Sequence, residues 1–383
     1  MLDRIVRIFA SLRLAVVCLA LAVLLVFFGT IFQVDEGLYN VQARYFRSLV
    51  IYWSPQGASW KIPVFPGGYL IGAVLLINLV TSFAERLRQV RGRVGLLMTH
   101  AGMILLVVGQ FATDLLSVES HMRLVQGEPK NFSEAGRESE LAIIETTDKD
   151  SDQVFPVPER WLARENEIKL PELPFVVRVK KYYENSSLAR RGGEEKSLPP
   201  AATQGLGPEI SLQPAPPVVK MDERNLPAAV IELATPKGSL GTWLVALALD
   251  QPQPATVDGR TFTLQLRSTR YYKPYSLTLL KFTFDKYPGS EIPKNFASRV
   301  RLQRPDTGES REALIYMNSP LRYAGETYYQ SGYDEQDPRV TILQVVRNPS
   351  WLTPYFSCLL VGLGLAIHFL SQLFEFVKQS KTT

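Results

Sequence analysis

Histidine is the scarcest chemistry-bearing residue in this 383-residue chain: there are only three. Two of them, His100 and His368, fall inside long apolar runs. His100 lies in Thr99-His100-Ala101-Gly102, and His368 follows Gly362, Gly364 and Ile367. Counted inward at 1.5 Å per residue, each sits roughly 9 Å from the basic-flanked end of its run. An ionisable group at such a depth is costly and faces a bundle interior, a cavity or a cofactor. A neutral imidazole nitrogen is a good axial ligand for haem iron. The competing reading is an imidazole hydrogen-bonded to a neighbouring helix. Gly95, Ala101 and Gly102 around His100, and Gly362 and Gly364 near His368, are small enough to admit a second helix or a flat ring. His121 falls just beyond an apolar run and reads as a surface residue. Gln110 and Asp114, at the far end of the His100 run, are expected to meet headgroups or water.

The elements that must position these imidazoles are four apolar spans, at about Leu14 to Phe32, Gly67 to Ala84, Val94 to Leu116 and Trp351 to Phe374. Each has about 18–25 residues, enough to cross a bilayer. Arg4, Arg7 and Arg13 precede the first. Arg86, Arg88, Arg91 and Arg93 fill the link between the second and third, and Lys378 and Lys381 follow the fourth. With four crossings all three clusters share one face, so the positive-inside rule places both termini in the cytoplasm and the large polar block outside. The first span is too long for a signal peptide and lacks a small-residue cleavage site, so it is expected to remain as an anchor. Leu2, Ile5, Val6, Ile8 and Phe9, interleaved with Asp3, Arg4 and Arg7, predict a short interfacial helix before it.

The net charge of +5 does not signal nucleic-acid binding, because the block from Ser117 to Ser350 holds 30 Lys and Arg against 31 Asp and Glu. The excess flanks the spans, where it sets topology and meets anionic headgroups. Nothing forms a basic groove. Cys18 and Cys358 are the only cysteines, both within spans and at different depths. A bond between them is not expected, since bridged Cα atoms lie within about 7 Å. The polar block has no cysteine, so an extracytoplasmic thiol reductase is excluded by placement. No phosphate-binding glycine loop, nucleophile elbow or H-E-x-x-H is present.

The block itself reads as β-rich. Alternating runs at Glu140–Glu145, Phe175–Lys181, Ala229–Leu233, Phe262–Arg267, Leu277–Phe284, Arg299–Gln303, Ala313–Met317 and Val340–Val346 predict an antiparallel sandwich-like or barrel-like fold, with one helical patch near Glu159–Glu167. The stretch from Asn185 to Asn225 is rich in Pro and Gly and poor in large apolar residues, and is expected to be a mobile insertion. The loop from Val34 to Pro66 carries Tyr39, Tyr45, Phe46, Tyr52, Trp53, Trp60 and Phe65, an aromatic belt or a flat platform beside a ligand opening. The expected architecture is four transmembrane helices, three N-terminal (1–116) and one C-terminal (351–383), around an extracytoplasmic β-rich domain (117–350).

Several pieces together resemble the ResB/CcsB-type cytochrome c biogenesis family along nearly the whole chain. They are Ala10-Ser-Leu-Arg-Leu-Ala15, Gly29-Thr-Ile-Phe-Gln33, the His100 run, Tyr287 to Ser298, Met317-Asn-Ser-Pro-Leu-Arg-Tyr323 through Tyr328-Tyr-Gln-Ser-Gly332, and Arg347-Asn-Pro-Ser-Trp351. The resemblance implies residence in a bacterial inner membrane and a CcsA/ResC-type membrane partner. The two would form a complex that exports haem b as transient cargo and attaches it to an apocytochrome c, this chain being one subunit of the synthase and not an enzyme alone. It implies that His100 contributes to a membrane haem site; His368 rests on the depth argument only. Reduction of the apocytochrome thiols would fall to a separate thiol-disulfide oxidoreductase. Tyr271-Tyr272 and Tyr328-Tyr329 are candidates for an apocytochrome-holding surface, which strand addition at a sheet edge would extend. The alternative of another class is a membrane-anchored binding module or scaffold without a cofactor of its own.

Overall fold

The computed structural model describes residues 2–55, 60–89, 94–148, 151–192, 199–218, 223–286, 288–289, 293–334 and 336–380. Arg91, Arg93 and Lys381, counted above among the topology-setting cations, lie outside the described residues. Two units emerge, one from residues 1–118 with 347–383, the other from residues 119–218 with 222–346.

In the first unit, α1 (Leu2–Phe9) is the predicted short N-terminal helix. It breaks at Ala10, and Ser11 caps α2 (Leu12–Glu36) by accepting from the Leu14 amide at 3.2 Å. The carbonyls exposed at this break are satisfied from another helix, α4 (Gly68–Gln89). The buried Asn78 amide donates to Phe9 O at 2.5 Å and to Ser11 O at 3.0 Å, and the Ser82 hydroxyl to Ala10 O at 3.3 Å. With α5 (Val94–Leu116) and α7 (Thr353–Ser380; α6 belongs to the second unit), α2 and α4 make four helices long and apolar enough to cross a membrane. They present Val23, Phe27, Leu105, Leu359 and Phe369 outward, as a helix in hydrocarbon must. This marks the unit as membrane-resident. The fourth helix runs six residues past the expected end at Phe374.

The aromatic loop folds into α3 (Leu38–Val41), a π-turn (Gln42–Phe46) and a hairpin of β1 (Val50–Trp53) with β2 (Ile62–Pro66). Tyr45 is buried, whereas Tyr39, Tyr52, Trp53 and Trp60 are exposed. Glycines let the π-turn sit on the spans: a Cβ on Gly29 would lie 3.0 Å from the Phe46 ring, and one on Gly68 2.5 Å from the Phe46 carbonyl.

The second unit is β-rich, as expected. One sheet runs in the order β15 (Glu309–Tyr316), β14 (Pro293–Arg304), β13 (Arg260–Lys286), β4 (Pro129–Glu145), β3 (Val118–Val125), β18 (Val340–Arg347), β17 (Glu326–Tyr333) and β16 (Leu321–Tyr323). Beside it, β12 (Gln253–Val257) pairs with β13 and β5 (Gln153–Pro158) with β4. A four-stranded sheet has the order β11 (Gly238–Ala246), β10 (Ala228–Thr235), β7 (Val176–Tyr183), β6 (Glu167–Ile168). The helical patch is α6 (Glu159–Arg164).

Two of the predicted strands, Phe262–Arg267 and Leu277–Phe284, are parts of the single β13. Its register with β4 shifts between Tyr272 and Leu277, where Lys273-Pro274 interrupts the ladder. The strand serves two cores. Phe262, Leu264 and Leu266 join Ile143, Ile231 and Trp243, while Leu277 and Leu279 join Met122, Val300, Tyr328 and Leu343. Between them Arg267 and Glu140 form an ion pair at 3.0 Å with both side chains 7 % exposed.

The Asn185–Asn225 stretch departs from its expectation in the parts the structure describes. β8 (Ser186–Arg190) and β9 (Ile210–Pro214) form a ladder, and Leu188, Ile210 and Leu212 pack on a small core of Ala202, Val230 and Leu244. The Gln253 carbonyl oxygen accepts from the Leu206 amide at 3.0 Å, and the Asn185 amide donates to Pro216 O at 2.6 Å. Few large apolar residues suffice because a neighbouring sheet supplies the other half of the core.

Candidate functional site

The two intramembrane histidines lie on helices that pack at backbone contact. Gly95, Gly102 and Gly109 recur every seventh residue of α5 and are all buried. A Cβ on Gly95 would fall 2.5 Å from the His368 amide nitrogen and 2.6 Å from Gly364 O. On Gly102 it would fall 2.6 Å from Val361 Cγ2, and on Gly109 it would strike the Thr353 side chain. Residue numbers fall along α7 as they rise along α5, so the helices are antiparallel. Gly364 completes the contact, a Cβ there lying 2.7 Å from Gly95 O and from the Thr99 amide. Small residues at regular spacing are how spans approach where no hydrophobic driving force separates helix from lipid. Gly362, grouped above with Gly364, takes no part: a Cβ there meets nothing within 4 Å.

His100 is half-buried, and its Nδ1 lies 2.8 Å from the carbonyl of Leu96, one turn back. A carbonyl only accepts, so Nδ1 is the donor, and in the neutral ring the lone pair is then on Nε2. That is the tautomer a metal-binding imidazole needs, with the ring fixed by its other nitrogen. His368 is half-buried too. Its Nε2 stands 3.3 Å from the Gln372 side-chain amide, and its ring lies 5.8 Å from that of Phe369.

The packing register sets their levels. His368 is opposite Gly95, whereas His100 is five residues further along α5, about 7 Å by helical rise. The equal depth expected from counting does not carry into the structure, because α7 continues to Ser380 and Phe374 is not its end. The structure therefore brings both imidazoles to one helix pair but at different levels.

Elsewhere, Cys18 is buried, Cys358 exposed, and both are free thiols. His121 is exposed on β3. No group of three His, Cys, Asp or Glu able to hold a metal occurs among the described residues. Asp114 does more than meet headgroups: Arg47 Nε donates to it at 2.9 Å and the Tyr69 hydroxyl donates to its other oxygen. No local signal marks these partners, which lie far away in the chain.

The tyrosine pairs also divide. Tyr272 is exposed and packs against Phe132, whose ring Lys130 and Arg270 flank at 4.4 and 4.2 Å. Tyr329 is exposed, but Tyr328 is wholly buried, its hydroxyl donating to Glu326 at 2.8 Å and lying 2.7 Å from the Tyr275 oxygen. Tyr328 is thus a core residue and not part of a docking surface. Burial and the neighbouring Glu326 push the Tyr328 and Tyr275 hydroxyls above their usual range, so both stay protonated.

A four-span membrane unit with an antiparallel, histidine-bearing helix pair and a β-rich unit inserted before the last span define the class: a membrane-anchored β-rich protein. Residues 251–346, the stretch from β12 to β18, match the ResB-like family. Protein NrfI of Wolinella succinogenes is 37% identical over 92 residues, 24% of this chain and 10% of that protein. The match thus spans about a tenth of that relative's length. Both helices that bear His100 and His368 lie outside the family match.

Proposed function

We propose that this protein is a haem-handling subunit of a cytochrome c biogenesis complex, with His100 as an axial imidazole for haem in transit. The observation that carries the reading is the His100 ring, held through Nδ1 by Leu96 and leaving Nε2 available. The ResB-like segment supports the biological setting. Haem is flat, amphipathic and poorly soluble, so a membrane cleft shared with a CcsA/ResC-type partner suits it, the partner supplying further walls. The β-rich unit then holds an apocytochrome c segment near the emerging haem. Arg7 in α1, Arg13 in the first turn of α2, Arg86 and Arg88 at the end of α4 and Lys378 near the end of α7 support cytoplasmic termini and an extracytoplasmic β unit in a bacterial inner membrane.

The test is the visible spectrum of the protein copurified with its membrane partner after expression with ample haem. A Soret band is expected, lost in His100→Ala and restored by added imidazole, with cytochrome c maturation falling in parallel. The His368→Ala spectrum decides whether the second imidazole also reaches iron. A colourless complex, or a band indifferent to His100→Ala, sinks the reading and leaves a membrane-anchored binding module without a cofactor.

A further inference from the structure

At the Leu116 end of α5, remote from His100, α2, the π-turn, α4 and α5 enclose a cleft of about 880 Å³. Its Asp114 lies fourteen residues from His100, about 21 Å along the helix. The volume falls in the range of small-molecule sites. The walls are mostly apolar, with aromatic surface from Phe46, Tyr69 and Phe111; the Tyr69 and Phe111 rings lie 5.9 Å apart. Glycine keeps the cleft open, since a Cβ on Gly72 would already lie 2.9 Å from Phe111 Cζ.

Three carboxamides, Gln33, Gln42 and Gln110, line the same cleft from three different elements. Among the described residues none of these side chains has a hydrogen-bond partner. Gln33 and Gln110 are exposed and Gln42 is half-buried, so the three amides are open to a molecule entering the cleft, one with polar atoms that match them. The fixed charges are balanced: Arg47 is paired with Asp114 at 2.9 Å, and Tyr69 donates to the same carboxylate. An anionic headgroup would meet Asp114 and a cationic one Arg47, so the balance favours a neutral ligand. Each carboxamide both donates and accepts, matching a ring that presents carbonyls in one redox state and hydroxyls in the other.

We propose that this cleft binds the headgroup of a prenylated quinone, the ring lying among Phe46, Tyr69 and Phe111, its oxygens on the glutamine amides and its tail in the lipid.

The test titrates the full chain, purified in detergent, with decylubiquinone while following quenching of intrinsic fluorescence, and assays an organic extract of the purified protein for quinone. Saturable binding and co-extracted quinone are expected in the unaltered protein. Gln33→Leu with Gln110→Leu should weaken binding at least tenfold with an unchanged melting temperature, as both residues are exposed at the cleft. Gly72→Leu, which fills the cleft, should abolish binding, while His100→Ala should leave it intact and so separates this proposal from the haem reading. Non-saturable binding, unchanged affinity in the glutamine variant, displacement by equimolar haemin, or an extract holding phospholipid alone would each overturn it.

Discussion

Gly95 and His368 touch backbone to backbone: a Cβ on the glycine would sit 2.5 Å from the histidine's amide nitrogen. The contact fixes the register of α5 against α7, and with it the level of each imidazole. His368 is held opposite the first glycine of the stripe, and His100 faces its surroundings from further along the helix.

Because backbone atoms cannot retreat as a flexible side chain can, Gly95→Ala is expected to force α5 from α7 at a cost of about 1–3 kcal/mol. Gly362→Ala adds a methyl into open space and should leave stability within about 0.5 kcal/mol. Thermal unfolding in detergent, followed by fluorescence, distinguishes the two; equal melting temperatures would contradict the register described.

Arg267 and Glu140 are both almost fully enclosed between the two β cores. Removing one partner strands the other's charge, so Arg267→Ala is expected to destabilise the β unit by about 3–5 kcal/mol. Replacing both, as Arg267→Met with Glu140→Leu, should cost much less. Trp243, buried in the adjoining core, reports the difference in urea titrations.

Glu326 carries a pH dependence. Burial alone raises its pKa, but hydrogen bonds from Lys273, Tyr275 and Tyr328 outweigh it and hold the carboxyl below its ordinary value of 4.5. A carboxyl more acidic in the fold than in the unfolded chain contributes stability above the unfolded value, lost as pH falls through the folded one. Stability measured from pH 6 downward should therefore decline below about pH 4.5, with a shallower decline in Glu326→Gln. Identical slopes would remove Glu326 from the account.

Asn78 closes the break between α1 and α2 from α4. Asn78→Leu leaves the Phe9 and Ser11 carbonyls without that donor, and a loss of about 1–3 kcal/mol is expected. Asn78→Gln, which keeps the amide but displaces it, should fall between. Limited proteolysis near Ala10 checks the outcome, faster cleavage being expected in the leucine variant.

Hydropathy and charge made the four spans legible, since a bilayer demands about twenty apolar residues whatever the neighbours do. Alternation disclosed most strands of the larger cores for a similar reason: one face of each must be buried. The Lys273-Pro274 interruption hid the continuity of β13, and the core beneath β8 and β9 was invisible because half of it belongs to another sheet. His100 and His368 stood out by rarity and depth, but their levels did not, because a helix end counted from composition is not a packing register.

By itself, then, the chain's pattern of residue types settled what is local: which segments are apolar, which alternate, and where scarce imidazoles fall along a helix. Tertiary structure alone decided which helices meet, that the Tyr328 hydroxyl is buried against that of Tyr275, and that three glutamines share one cleft. These depend on close approach between residues far apart in the chain, and van der Waals contact and hydrogen bonding act only at that range.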